Sequence, residues 1–384
     1  MAYTYSKRIA IAHGQVPGPL TQYPFLFTEI DGDFATVGNG GHVQNTDAAG
    51  GASGDLTVPA DMVFSPNGDG SSPYDHEFEK YDAVTGELVA WIEIPTLSST
   101  QDTVLYVVYG DVAVVTTQEY VRGVWSGDYQ MVQHLNETSG AHFDSTGASK
   151  DSTGISVAAQ GTAVGKADGC DDFEEASDHY VGFGQVLGFA GFNLTLEAWI
   201  KPESLPTAGS SNDEIVCKYR DDRDKGYRLS LNYYNGNPRA RFAVGNQLAG
   251  SASIWGATAI TTTGIWYYLA GTYNTSTQAL IIYLNGVPDG GGSSAGGIGS
   301  SFPRALSIGR DDEDGGRYFF DGLIDEVRMS NWVKPPDYFT TTFNNIGSPG
   351  TFYSKGSEGG ATTTSTSSST STSTTTRAET GGRA

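Results

Sequence analysis

Along this chain apolar residues cluster in short runs, and the runs are strand-like. Residues 103–109 (Thr-Val-Leu-Tyr-Val-Val-Tyr), 194–200 (Leu-Thr-Leu-Glu-Ala-Trp-Ile), 267–273 (Tyr-Tyr-Leu-Ala-Gly-Thr-Tyr) and 279–284 (Ala-Leu-Ile-Ile-Tyr-Leu) are rich in β-branched and aromatic residues. Each is bounded by Gly, Asn, Asp, Ser or Pro, the residues that break or turn a strand. No convincing twelve-residue stretch carries the 3.6-residue period of an amphipathic helix. Asn285-Gly286 and Asn235-Gly236 predict two-residue hairpins, because a type I′ turn needs φ > 0 at both central residues. The pattern divides the chain into a β-sandwich unit over residues 1–128, a larger β unit over 129–336, an extended closing segment over 337–360 and a tail over 361–384. Within the tail, Thr362 to Thr376 is fifteen residues of Ser and Thr only. That stretch has no apolar area to bury, so alone it is expected to be disordered.

Composition sharpens the all-β reading. Glycine contributes 51 of 384 residues, tyrosine 21 and phenylalanine 17, while only 17% of residues are charged; many tight turns between aromatic strands account for all three. The charged residues are lopsided, 44 acidic against 22 basic, for a net charge of −22. A basic face for phosphate contacts is therefore missing, which argues against nucleic acid and anionic membranes as partners. No run of about 18 apolar residues predicts a membrane helix. Met1-Ala2-Tyr3-Thr4-Tyr5-Ser6-Lys7-Arg8 opens a strand rather than a charged and apolar leader, so no export signal is expected in this chain. Cys170 and Cys217 are too few for a disulfide framework. Whether they pair or are separately buried is open at this level.

Five ordered motifs give the second unit a resemblance. They are Val132-Gln133-His134-Leu135-Asn136-Glu137 with Asp144-Ser145-Thr146-Gly147; Leu194-Thr195-Leu196-Glu197-Ala198-Trp199-Ile200-Lys201-Pro202; Trp266-Tyr267-Tyr268-Leu269-Ala270-Gly271-Thr272-Tyr273; Ile282-Tyr283-Leu284-Asn285-Gly286; and Phe320-Asp321-Gly322-Leu323-Ile324-Asp325-Glu326-Val327-Arg328-Met329-Ser330. Together they resemble a laminin-G-like, concanavalin A-type lectin/glucanase module, which implies a jelly-roll of two antiparallel sheets. The first unit is similar to the domain of unknown function that commonly precedes such modules in bacterial, archaeal and phage proteins. That likeness rests on residues 3–11, Tyr23-Pro24-Phe25-Leu26, Asp61-Met62-Val63-Phe64, residues 81–92 and Ile94-Pro95-Thr96-Leu97, with Phe343-Asn344-Asn345 and Thr351-Phe352-Tyr353-Ser354 as its usual ending.

The resemblance constrains architecture more than chemistry. Laminarinase-type enzymes on this fold carry Glu-x-Asp-x-Glu on one strand. The nearest string, Glu29-Ile30-Asp31-Gly32-Asp33, lies in the first unit and reads as a strand end and turn. Asp325 and Glu326 are adjacent, so regular strand alternation sends them to opposite faces and a retaining pair about 5 Å apart is not expected. No Gly-x-Ser-x-Gly elbow occurs. Cys170 sits in an acidic run that raises a thiol's pKa. No catalytic residue is assigned. The resemblance points to Asp325 as a ligand of a structural calcium, completed by backbone oxygens near the start of the module; a plain hydrogen-bonded aspartate is the alternative. Asp221-Asp222-Arg223-Asp224 and Asp311-Asp312-Glu313-Asp314 lack EF-hand spacing and read as solvated loops. Sugar binding needs aromatic platforms beside hydrogen-bonding groups. Tyr233 and Tyr234, before Asn235-Gly236, and Trp255, in a small-residue segment, are the candidates; Trp199 and Trp266 read as core. Asn-x-Ser/Thr matches at Asn136, Asn193 and Asn274 read as chance.

The expectation is a non-enzymatic structural and binding protein of a virion or extracellular appendage, such as a phage capsid decoration, fibre or tail component. Its lectin-like module would attach to surface glycans. Its partners would be other copies of itself or other particle subunits. A secreted cell-surface adhesin is the alternative, and a glycoside hydrolase the rival from the enzyme class. The Ser/Thr tail suits strand addition onto a neighbour, because main-chain hydrogen bonds need no particular side chain.

Overall fold

The computed structural model describes residues 2–208, 212–220, 225–246, 250–294, 296–299, 304–313 and 316–361. The Ser/Thr tail from residue 362, the acidic run 221–224 and Asp314 lie outside the described residues. The described chain is built almost wholly of antiparallel strands. No helix among these residues is long and apolar enough to cross a membrane.

Two layers form the first unit. One sheet runs in the order Tyr353–Gly360, Tyr5–Ile11, Thr103–Tyr109, Met62–Ser65; the other in the order Leu20–Ile30, Glu87–Leu97, His76–Asp82. Phe25, Phe27, Phe64, Phe78 and Ile92 are fully buried between them. The last described strand therefore belongs to the first sheet, where Ile11 pairs with Tyr353 and Tyr5 with Gly360. The two ends of the described chain are thus tied together in one sheet.

The second unit is a sandwich of a seven-stranded and an eight-stranded sheet. Strands Asn212–Arg220, Lys225–Tyr234, Asn237–Asn246 and Gly250–Trp255 follow one another in the first sheet; Gly322–Ser330, Leu194–Pro202, Tyr267–Tyr273 and Ala279–Leu284 are neighbours in the second. Their inward residues, among them Leu196, Ile200, Leu229, Leu231, Phe242, Leu269 and Ile324, form its core. The other face of the eight-stranded sheet is not left to water. Trp199, Tyr268 and Tyr283 join the aromatic core of the first unit across Tyr338 and Phe339. Both Asn-Gly turns have the expected geometry, with φ of 50° and 86° at Asn235 and Gly236 and 50° and 82° at Asn285 and Gly286.

The closing segment departs from the extended expectation. Pro336–Gly347 is an α-helix, followed by a helical turn at Pro349–Phe352 before the final strand. Its buried face carries Thr341, Thr342 and Asn345 beside Tyr338, Phe339 and Ile346. Polar residues on a buried face hide the helical period from a hydrophobicity reading. Asn345 is buried because its carboxamide replaces a strand partner, accepting from Leu26 N (2.8 Å) and donating to Leu26 O (3.0 Å). Cys170 and Cys217 are buried as free thiols, on strands of different sheets.

Candidate functional site

The aromatic candidates divide. Tyr234 ends its strand opposite Asn237, and Trp255 ends the third strand along, opposite Arg241. The hairpin twist brings the two rings face to face, with centroids 4.2 Å apart and planes 9° from parallel. Trp255 Nε1 donates to Asn232 Oδ1 (2.8 Å), which fixes the indole. Beneath it, the Arg241 guanidinium lies 5.7 Å from the indole centroid and donates to Asn212 Oδ1 and Ser253 Oγ, each at 3.0 Å. Arginine, tryptophan and tyrosine thus form a fixed stack. The rings border a groove of about 380 Å³ whose rim includes Asn235, Arg239, Ser253 and Gly256. Arg239 is latched onto Gly256 O (3.0 Å) and Ala257 O. Tyr233, next to Tyr234 on a regular strand, points to the opposite face and pairs with Pro238; it is outside this groove.

Asp325 is fully buried. Its Oδ2 accepts the Lys166 amide (2.5 Å), and its Oδ1 has no hydrogen-bond partner. Gly165 has no side chain where one would collide with Asp325 Oδ2, Gly169 O and Asp168 O, all within 2.9 Å of the missing Cβ. An orphaned carboxylate oxygen near backbone carbonyls is the donor chemistry that a hard cation such as calcium takes, so these residues fit in kind. Asp311 and Glu313, by contrast, are held by Arg317 and Arg304.

Glu326 corrects the alternation argument. The strand is bulged there: Trp199 faces Asp325 but Glu197 faces Arg328, and Glu326 has φ of 52°. A bulge breaks the two-residue period and re-aims a side chain. Glu326 Oε1 reaches His134 Nδ1 (2.6 Å), and its Oε2 accepts from Arg328 (2.6 Å). From the first unit, Glu77 and Glu79 reach the same histidine: Glu77 Oε2 lies 3.4 Å from Nε2 and Glu79 Oε2 lies 3.5 Å from Nδ1. Trp125 Nε1 donates to Glu77 (2.5 Å) and Trp91 Nε1 to Glu79 (2.7 Å), and Arg328 lies over both indoles. Burial opposes a charge on His134, but the carboxylates of Glu326, Glu79 and Glu77 hold its pKa well above the ordinary value. Burial pushes the Glu79 carboxyl well up. Glu77, Glu79 and His134 form part of the wall of a cavity of about 360 Å³, which is also lined by the Gly51–Leu56 region, Asn136, Glu137 and Asp168.

Sequence reasoning missed this acidic centre. The signals present were an acidic pair two apart on one strand of the first unit, around Phe78, and a histidine inside the opening motif of the second. Neither points to the other until the units pack.

Residues 175–338 match the family model described as the concanavalin A-like lectin/glucanases superfamily. The two-sheet sandwich agrees with this match in fold. The second unit is similar to that superfamily over these residues. Solved structures similar to the chain include the binding domain of Paraclostridial Mosquitocidal Protein 1, with 12% identity over 56% of this chain and 52% of that one and a TM-score of 0.44. Another is Domain 4 of AbnA, a GH43 extracellular arabinanase from Geobacillus stearothermophilus, in complex with arabinotriose, with 21% identity over 56% of this chain and 97% of that one and a TM-score of 0.39. The chain spans about half the length of the first of these. A comparison with curated proteins finds no match.

Proposed function

We propose that this protein is a non-enzymatic binding and structural component of a virion or extracellular appendage, and that its lectin-type module holds surface glycans in the Tyr234–Trp255 groove. The observation that carries the reading is the fixed stack. Tyr234 is partly exposed, its ring rests on Trp255, and both residues line the groove. A sugar ring presents an apolar face of C–H groups to such a platform, and Asn235 and Ser253 stand at the rim to bond its hydroxyls. Pre-ordering the rings lowers the entropy lost on binding.

A glycan array probed with the wild type and with Trp255→Ala tests this reading. The wild type is expected to select a small set of oligosaccharides, and the variant to lose them at an unchanged melting temperature. Equal binding by both proteins would move the site elsewhere. The assembly part rests on the last strand of the first sheet, which leads directly into the Ser/Thr tail. Deleting residues 362–384 is expected to abolish oligomers in light scattering while the β circular dichroism spectrum persists; unchanged assembly would exclude the tail. A monomeric wild type that still binds glycans would favour the adhesin alternative. The hydrolase reading has one feature in its favour, the Glu77–Glu79 pair at a polar cavity, but those side chains are only 2% and 1% exposed, which leaves a polysaccharide little approach.

We also propose calcium at Asp325. Asp325→Asn is expected to remove any dependence of the melting temperature on calcium, and a wild-type melt insensitive to chelator would refute the site.

A further inference from the structure

We propose that Glu79, His134 and Glu326 bind a first-row divalent cation, of the zinc or manganese class, at the junction of the two units. Their candidate ligand atoms all lie within 4.8 Å of one another and all three residues are buried. An imidazole with two carboxylates is a donor set that suits such a cation and suits calcium poorly, since calcium takes oxygen.

Four features point to an ion rather than to a closed ion-pair network. First, Glu79 Oε1 is buried and has no hydrogen-bond partner, although Glu79 Oε2 is held by Trp91. A buried carboxylate oxygen without a partner is costly. Second, Glu77, Glu79, Asp325 and Glu326 are all buried in this neighbourhood, beside Arg328. Carboxylates are donors that a first-row dication takes. Third, the donors are held by neighbours: Arg328 holds Glu326 Oε2, Trp91 holds Glu79 Oε2, and Glu77 faces the far nitrogen of His134. Metal-binding histidines and carboxylates are typically fixed by such outer partners. Fourth, Glu326 is brought to the histidine only by a bulge with a left-handed backbone. That conformation costs a non-glycine residue about 1–3 kcal/mol and clusters at ligand sites.

Distances agree. Bonds of about 2.0–2.2 Å to zinc place neighbouring ligand atoms roughly 3–3.5 Å apart. His134 Nδ1 stands 3.5 Å from Glu79 Oε2, the oxygen that Trp91 also holds, and 2.6 Å from Glu326 Oε1, so a small opening of the second contact admits the ion. Glu79 and His134 also help to line the cavity of about 360 Å³. The other cluster of similar composition, Asp33, His42 and Glu358, differs on these points. Its Asp33 is paired with Lys7, its Glu358 accepts from Tyr109 and His42, and all three residues are partly exposed.

The test uses the full chain, stripped with chelator and desalted, then loaded separately with zinc, manganese and calcium and passed through gel filtration. One equivalent of zinc or manganese per chain is expected to remain, with a raised melting temperature, in the presence of excess calcium. Glu79→Gln keeps the shape of the side chain and is expected to weaken retention at least tenfold, whereas Asp325→Asn retains the metal. Retention by Glu79→Gln with loss in Asp325→Asn would overturn the assignment, as would no retention by the wild type. Pulsed electron paramagnetic resonance of the manganese-loaded wild type guards against a variant that misfolds. Coupling to one imidazole nitrogen is expected, and a nitrogen-free spectrum would overturn the site.

Discussion

His142 shows how a single buried side chain can make the fold sensitive to pH. It lies between Glu137 (2.7 Å) and Asp171 (2.8 Å). Burial opposes its charge, but hydrogen bonds to Asp171 and Glu137 outweigh burial and raise its pKa to about 9. The folded value lies above that of the unfolded chain, about 6.5. The contribution of this contact to stability is therefore complete below pH 6.5 and is lost as pH rises through about 9. Thermal melts from pH 6 to 9.5 should show the wild type losing stability across that window. His142→Asn should be less stable at pH 6 and lose less stability over the same range, since His134 titrates in both proteins; a parallel decline in both proteins would contradict the assignment. At the groove, Tyr234→Ala is expected to cost at least tenfold in glycan affinity with little change in melting temperature, because the ring is partly exposed and lies at a hairpin end. A melt lowered by several degrees would show the stack to be a packing feature instead.

The helix Pro336–Gly347 and the strand Tyr353–Gly360 join the two units. Asn345→Ala leaves both backbone groups of Leu26 without their side-chain partner. Leaving them unpaired should cost about 3 kcal/mol, read from denaturant unfolding; a change below about 0.5 kcal/mol would mean that water replaces the carboxamide. Tyr353→Phe removes a hydroxyl that donates to Thr28 O (2.6 Å) and accepts from Thr28 N (3.1 Å), and should cost about 1–2 kcal/mol on the same grounds. These elements also mark where the sequence was hard to read. Strands with apolar runs, such as Tyr267–Tyr273, and both Asn-Gly hairpins were legible because strand period and turn chemistry are local. The helix was not, since its buried face uses Thr and Asn for contacts that exist only after folding. Pairing of the last described strand with Tyr5–Ile11 joins segments about 350 residues apart in sequence, which local pattern does not encode.

At the scale of the whole molecule, an all-β chain packs a lectin-type sandwich against a smaller two-layer unit through a shared aromatic core. Tyr234 and Trp255 were readable as candidates from the residues around them, and the structure stacks the two while turning Tyr233 away. The acidic centre was not readable, because Glu77 and Glu79 come from one unit and His134 and Glu326 from the other, and because a bulge cancels the alternation that separates Asp325 from Glu326. The two sites lie in different places: the groove on the seven-stranded sheet, the acidic centre where the units meet. Glycan binding and metal retention should therefore respond to different substitutions. The most direct test of the central claim is a crystal structure of the full chain with an oligosaccharide selected on the array. The account predicts a sugar ring stacked on the free face of Tyr234, about 4 Å from it, with hydroxyls bonded at the rim of the groove. A sugar bound elsewhere, with the groove empty, would contradict it.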